Sequence, residues 1–120
     1  MKFLTLMRIV ALFFILFSPF HIIAQENPNP ERYYFSKEGR ELYIEQFINW
    51  DKKNSFPKGG ILFVGSSSIR LWPTSQYFKG NIINRGFGGS HLSDIIYYFD
   101  HIVEKYAPKT ILLYAGDNDI

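Results

Sequence analysis

The sequence predicts a three-layer α/β fold in which a parallel sheet lies between two layers of helices. Three short apolar runs, at 61–64, 81–84 and 110–115, do not alternate with polar residues, as is typical of strands buried on both faces. Helical periodicity precedes the first run and separates the second run from the third. This order of strands and helices favours right-handed βαβ units around one sheet.

Residues 1–24 have the organisation of a cleaved secretory signal peptide. Lys2 and Arg8 precede an uncharged apolar run at 9–17, and the small residue Ala24 ends the segment. Basic, apolar and small-residue regions follow one another in this order in such leaders. The uncharged span is shorter than the about 20 apolar residues that cross a bilayer. We therefore expect a secreted or periplasmic protein with no stable membrane span once the leader is removed.

The composition excludes several classes of protein. There is no cysteine among the 120 residues, which excludes disulfides, thiolate metal sites and cysteine nucleophiles. Two of the 13 basic residues lie in the predicted leader. The other 11 balance the 11 acidic residues, so the rest of the chain has a formal net charge of zero. A neutral domain without a basic patch is not expected to bind nucleic acid. The apolar fraction of 47% is sufficient for a packed core and excludes global disorder.

The first elements after the leader are a predicted linker and a predicted helix. Residues 25–36 begin with the polar, proline-containing stretch "QENPNPE" and are interpreted as a linker. A helix is predicted from about residue 37 to 53, because an aromatic stripe recurs at i, i+4 and i+7. Its members are Tyr43, Phe47 and Trp50. We expect this stripe to be part of the core.

The connections between the predicted strands differ in length. Residues 67–79 have room for only a short helix, because Pro73 interrupts it. A longer helix is predicted before Pro108, with Ser90 or Ser93 as its N-cap. Its apolar stripe consists of Ile95, Phe99, Ile102, Val103 and Tyr106. Three strands are few for an open sheet, which usually has about four to six, so we expect this chain to represent part of a longer domain.

A cluster of glycine and polar residues follows each apolar run, at 65–68, 84–90 and 116–119. In a parallel sheet these clusters lie at the carboxyl ends of the strands, on the edge where open α/β sheets bind ligands. The first cluster supplies hydroxyl groups that a base could activate. The second supplies backbone N–H groups that glycine leaves accessible to an anion. The third supplies an asparagine amide suited to a developing oxyanion.

The stretches "FVGSSSIRLW", "NRGFGGS" and "GDND" resemble, in order and spacing, the first three blocks of the SGNH, or GDSL-type, serine esterases. The resemblance extends over about residues 38–120 and implies a flavodoxin-like α/β/α fold for the domain at 37–120. It also implies ester hydrolysis without a cofactor or metal, on a small-molecule ester that the sequence does not specify. By position in these blocks, the nucleophile would be Ser67. The backbone N–H of Gly89 and the side-chain amide of Asn118 would form the oxyanion hole.

The sequence departs from the family pattern at two points. Ser66 stands where the family has aspartate, so three consecutive serines compete for the nucleophilic role. Because a sharp turn presents only one hydroxyl, Ser67 remains the prediction. The family's Asp-x-x-His motif, which supplies the base, does not occur in the 120 residues. His91 and His101 are weaker candidates for a base, and the isolated chain is expected to be nearly inactive.

Three alternatives remain open at this point. The serine loop could cradle a phosphate in a nucleotide-binding module, although "RGFGGSH" lacks the G-x-G-x-x-G spacing. The chain could be a catalytically inactive relative that binds esters or glycans. Asp117 and Asp119 could hold Mg²⁺, but solvation or helix capping is the preferred interpretation. Arg70 and Trp72 could line a substrate pocket. We expect instead that Arg70 is solvated and that Trp72 packs in the core.

Overall fold

The computed structural model describes residues 26–33 and 43–120. The predicted signal peptide at 1–24 lies outside these residues, as do the end of the predicted linker and the first residues of the predicted first helix. In the part of the chain that is described, no helix is both long enough and apolar enough to cross a membrane.

The fold is α/β, with one sheet of three parallel strands, as predicted. The strands are β1 (Ile61–Gly65), β2 (Ile82–Gly86) and β3 (Thr110–Tyr114), and their order across the sheet is β2-β1-β3. Ile61 pairs with Ile82 on one side and with Thr110 on the other. The central strand is thus first in the chain, and all three strands end at the same edge. This arrangement is compatible with a flavodoxin-like fold.

The helices occupy the predicted positions, and the helix predicted before Pro108 is interrupted; residues 37–42 of the first predicted helix lie outside the described ranges. Helix α1 spans Tyr43–Lys53, and the first crossover contains α2 (Ser67–Leu71) and α3 (Thr74–Tyr77). The helix predicted before Pro108 is divided into α4 (Leu92–Tyr97), α5 (Phe99–Ile102) and a 3-10 helix (Glu104–Tyr106). The division does not disturb the predicted stripe, because most of its residues stay buried; Phe99, which is 45% exposed, is the exception.

The two faces of the sheet pack against different helices. Successive side chains of a strand point to opposite faces, so Phe63 faces away from Leu62 and Val64. On the Phe63 face, the rings of Trp72 and Phe78 lie 5.4 and 5.0 Å from its ring. Leu62 and Val64 belong to a core formed with residues of α1, β2, α4 and α5, including Ile44, Phe47, Ile83, Ile95 and Ile102. Helices therefore cover both faces of β1.

The prediction that every strand is buried on both faces is correct for β1 and wrong for β3. Ile111, Leu113 and Tyr114 are between 48% and 52% exposed. Both β2 and β3 lie at edges of the sheet, but β2 also packs against α2 and α3, whereas β1 is the one described element in extensive contact with β3. An apolar run therefore identified the strand, but its burial depended on what packs around it.

Part of the predicted linker is attached to the domain. A 3-10 helix at Pro30–Tyr33 buries Tyr33, and the carbonyl oxygen of Pro30 accepts a hydrogen bond of 2.8 Å from the Tyr98 hydroxyl. Burial raises the pKa of Tyr98 to about 12, which keeps this donor protonated. Arg32 reaches the fully buried carboxylate of Asp94 at 2.5 Å. This segment is thus positioned beside the start of α4.

Candidate functional site

The first loop of the candidate site begins at Gly65, where β1 meets β3 at close range. Gly65 has φ 152°, and a Cβ at this position would lie only 1.9 Å from the carbonyl oxygen of Tyr114. That same oxygen accepts a hydrogen bond of 3.0 Å from the Ser66 N–H. Only glycine fits this approach. The close contact produces the sharp turn from which α2 starts.

The three serines of this loop have different environments. Ser66 is fully buried, and its hydroxyl donates to Asp117 Oδ1 at 3.1 Å. Ser67, the first residue of α2, is half-buried, and Ser68 is exposed. No hydrogen bond engages the Ser67 hydroxyl within the described ranges. Ser66 therefore has a structural position, whereas Ser67 combines partial shelter with an uncommitted hydroxyl at the end of β1.

The second loop is fastened to the first through the carbonyl oxygen of Gly65. This oxygen accepts hydrogen bonds from the Phe87 N–H at 3.0 Å and from the buried Ser90 hydroxyl at 3.2 Å. Between these two anchors, Gly89 is exposed and has φ 69°, a conformation that favours glycine. The anchors place the backbone of Gly89 on an exposed bend beside the serine loop.

The N-cap prediction for the helix that follows was wrong. The helix starts at Leu92, so neither Ser90 nor Ser93 occupies the capping position. Asp94 instead accepts a hydrogen bond from the His91 N–H at 2.7 Å, and Asp119 accepts one from the Leu92 N–H at 3.1 Å. Carboxylates satisfy N–H groups at a helix start as hydroxyls do. Ser90 is used instead to hold the second loop to β1.

The third loop contacts both of the others. Asn118 Nδ2 donates to the carbonyl oxygen of Ser90 at 2.9 Å, and Asp117 accepts from Ser66 as described. An asparagine amide has two N–H donors, so the contact with Ser90 leaves the second one for another acceptor. The three loops are therefore joined by direct hydrogen bonds at the carboxyl edge of the sheet. Ser67, Gly89 and Asn118, the residues with predicted roles, belong to the three loops that meet at this junction.

Both aspartates of the third loop are engaged in holding the loops together. Asp117 accepts from the first loop and Asp119 from the start of α4. Within residues 26–33 and 43–120, no group of three or more His, Asp or Glu side chains is placed to hold a metal ion. The hydrogen bond from the Leu92 N–H agrees with the interpretation of Asp119 as a capping residue, and the bond from the Ser66 hydroxyl connects Asp117 to the serine loop.

The two histidines considered as bases occupy different positions. His91 is half-buried, and its Nδ1 lies 3.9 Å from Asp119 Oδ1. These two residues are far apart in the sequence, and their proximity was not predicted from it. His101 is exposed on α5, with its ring 6.5 Å from that of Tyr98. No hydrogen bond joins either imidazole to Ser67 among the residues that the structure describes.

A buried arginine lies next to the second loop and was not considered from the sequence. Arg85, on β2, is 3% exposed and donates to Asp51 Oδ1 at 2.8 Å and to the Tyr106 hydroxyl at 2.7 Å. Its guanidinium lies about 5 Å from three ring centroids, those of Phe47, Phe56 and Tyr106. A charged residue inside the strand, directly before Gly86, was the available signal.

The charges of this cluster shift the ionisation of its members. Burial raises the pKa of Asp51, but hydrogen bonds from Lys105 and Tyr106 and the charge of Arg85 outweigh burial and lower the pKa overall. Burial also raises the pKa of the Tyr106 hydroxyl, against the influence of Arg85. Asp51 is therefore held as a carboxylate and Tyr106 as a neutral donor, which stabilises the cation between them.

A groove with a volume of about 450 Å³ lies between α1 and residues 70–75, with Asn84 and Gly86 of β2 also lining it. Trp72 packs against Phe63, as expected, and one side of it also lines this groove. Arg70 also lines the groove, with its guanidinium 5.6 Å from the ring centroid of Tyr43.

Comparisons with known proteins support the fold. No protein-family model matches the sequence, and no curated protein matches it. One solved structure, described as that of "a putative platelet activating factor from Streptococcus pneumonia", is similar with a TM-score of 0.54 and 26% sequence identity. The match covers 65% of this chain and 37% of the streptococcal chain, so the present chain corresponds to little more than a third of that protein.

Proposed function

We propose that this chain carries the nucleophile and the oxyanion hole of an exported SGNH-type serine hydrolase that cleaves carboxylic esters. The observation that carries the proposal is the hydrogen-bonded junction of three loops at the carboxyl edge of the sheet. This is where open α/β sheets place their ligands. The structural similarity to the streptococcal protein supports the fold on which the proposal depends.

In the proposed reaction, Ser67 Oγ attacks the ester carbonyl carbon and gives up its proton to a base. The carbonyl oxygen becomes an oxyanion, which the N–H groups of Gly89 and Ser67 and the amide of Asn118 stabilise. Collapse of this intermediate, with the proton passing from the base to the leaving oxygen, releases the alcohol and leaves an acyl group on Ser67, which water then removes as a carboxylic acid. Each oxyanion donor would contribute roughly 10²- to 10³-fold in rate.

In this proposal, the base that accepts the proton from Ser67 is a histidine held by an aspartate. Both of these residues lie outside the described ones. Without such a base, serine is a weak nucleophile at neutral pH. We therefore expect p-nitrophenyl acetate hydrolysis by the 120-residue chain to stay close to the uncatalysed rate. Substantial turnover that is lost in His91→Ala would contradict this assignment and identify His91 as the base. The reading frame after Ile120 can be inspected for Asp-x-x-His.

The nucleophile is tested separately by covalent labelling. A fluorophosphonate would be incubated with the chain, and the labelled serine would be located by peptide mass spectrometry. We expect an adduct on Ser67 that is absent in Ser67→Ala and retained in Ser68→Ala, its exposed neighbour. Because no base activates Ser67 within the described residues, labelling is expected to be slow; an adduct on Ser66 or Ser68 instead would overturn the proposed function.

A further inference from the structure

The groove beside β2 has one wall that is largely aromatic. Tyr43, Phe47 and Trp50 of α1 line it. The expectation that this stripe belongs to the core holds for Phe47, which is 4% exposed, but not for Trp50, which is 49% exposed. Large aromatic side chains are usually covered in a folded domain. An open indole ring along a concave surface therefore offers a flat apolar face to a ligand.

The opposite wall and the ends of the groove are mixed in character. Trp72 and Pro73 contribute apolar surface, and the polar side chains that line the groove include Gln46, Ser75 and Asn84. Asn84 Nδ2 already donates a hydrogen bond of 2.8 Å to the carbonyl oxygen of Ile69. The exposed side chains of Gln46 and Ser75 are therefore the ones that can turn toward a ligand. Aromatic faces together with a few polar side chains are characteristic of small-molecule sites.

The charges around the groove disfavour an ionic ligand. Among the residues that the structure describes, no carboxylate lines it and Arg70 is its one charged side chain, with the guanidinium lying over the Tyr43 ring. One engaged arginine is a poor basis for holding the phosphates of a nucleotide, which need several donors. A long acyl chain would require uniformly apolar walls, because it cannot satisfy buried amide and hydroxyl groups. A neutral ligand with an apolar face and hydroxyl groups fits both walls.

We propose that this groove binds a neutral saccharide, with one sugar ring stacked on Trp50 and its hydroxyl groups bonded to Gln46 and Ser75. The groove extends toward the second loop of the candidate site, since a Cβ on Gly88 would lie 3.6 Å from Arg70 Nε. A bound saccharide would therefore lie beside the start of the second loop. Binding itself does not depend on the proposed ester chemistry, and its test reads binding and not turnover.

The sequence makes this groove easy to monitor, because its two tryptophans both line it. Intrinsic tryptophan fluorescence would be measured while the chain is titrated with xylotetraose, cellotetraose or N-acetylchitotetraose. We expect a saturable change with a Kd of about 1 mM for at least one of them. In Trp72→Phe, which keeps an aromatic ring against Phe63 and Phe78, the remaining signal comes from Trp50 and should still saturate.

Variants then test where the saccharide binds. Trp50→Ala should weaken binding by about tenfold, measured by isothermal titration calorimetry because one of the two fluorescence reporters is lost. Tyr77→Ala is the matched control, because Tyr77 is 70% exposed but does not line the groove, and it should bind as the wild type does. Ser67→Ala should also retain binding, which separates this proposal from the proposed function.

Three results would overturn the proposal. The first is the absence of a saturable change with all three tetrasaccharides up to about 10 mM. The second is a change produced by sodium octanoate or inorganic phosphate but by none of the sugars, which would assign the groove to an acyl chain or an anion. The third is saccharide binding that Trp50→Ala leaves intact while the variant remains folded by circular dichroism.

Discussion

Asp51 is the acidic partner of the buried Arg85, and we expect Asp51→Asn to destabilise the fold by about 3 kcal/mol. Removing one member of a buried ion pair costs about 3–5 kcal/mol, because the other charge is left without compensation. The Arg85 side chain is 4% exposed and that of Asp51 is 19% exposed, so the lower end of this range applies. Asparagine would also lose the carboxylate that accepts from Lys105 and from the Tyr106 hydroxyl.

The effect should depend on pH in a defined direction. Since the folded-state pKa of Asp51 is lowered below the ordinary value of 3.8, its ionised form stabilises the fold at any pH above that value. This stabilisation is lost as the pH falls through the folded-state pKa. The difference in unfolding free energy between wild type and Asp51→Asn should thus be constant near neutrality and decrease below about pH 4.

Urea and thermal unfolding at pH 7, followed by far-ultraviolet circular dichroism, would measure this difference. For a domain of this size, about 3 kcal/mol corresponds to a melting temperature lowered by roughly 12–24 °C. Asp100→Asn is the matched control, because Asp100 is exposed on α5, and it should change stability by less than about 0.5 kcal/mol. An Asp51→Asn effect no larger than that of the control, or one that grows as the pH falls, would refute the reasoning.

Three further predictions concern the loops and the sheet. Gly65→Ala should lower the free energy of unfolding in urea by more than about 3 kcal/mol, because its Cβ would overlap the backbone of β3. Gly59, at φ 78°, has open space around it, so the control Gly59→Ala should lower it by only about 1 kcal/mol. Ser66→Ala should lower the free energy of unfolding by about 1–3 kcal/mol, because its buried hydrogen bond is lost. Ser67→Ala should change it by less than about 0.5 kcal/mol. The reverse order would mean that the two serines are wrongly assigned. Leu113→Lys should reduce concentration-dependent light scattering, because a charged edge strand opposes intermolecular pairing; unchanged scattering would show that β3 does not drive self-association.

The sequence by itself determined where the strands and the three polar loops lie. An apolar run bounded by glycine or proline can bury its side chains only in a few regular ways, so "ILFV", "NIIN" and "TILLYA" identified β1, β2 and β3 within about two residues. The carboxyl ends of parallel strands meet at one edge, so the junction of the three loops also followed from local patterns. The roles of Ser67, Gly89 and Asn118 at that junction stay predictions.

Only the tertiary structure decided the environment of individual side chains. Ser66 and Ser67 are chemically identical neighbours, and they differ because Asp117, far along the chain, accepts from one of them. Trp50 and Phe47 lie on the same helical stripe, but the core ends between them. Burial and pairing depend on residues distant in sequence, which local periodicity does not encode; the same reason explains why β3 is apolar and yet exposed.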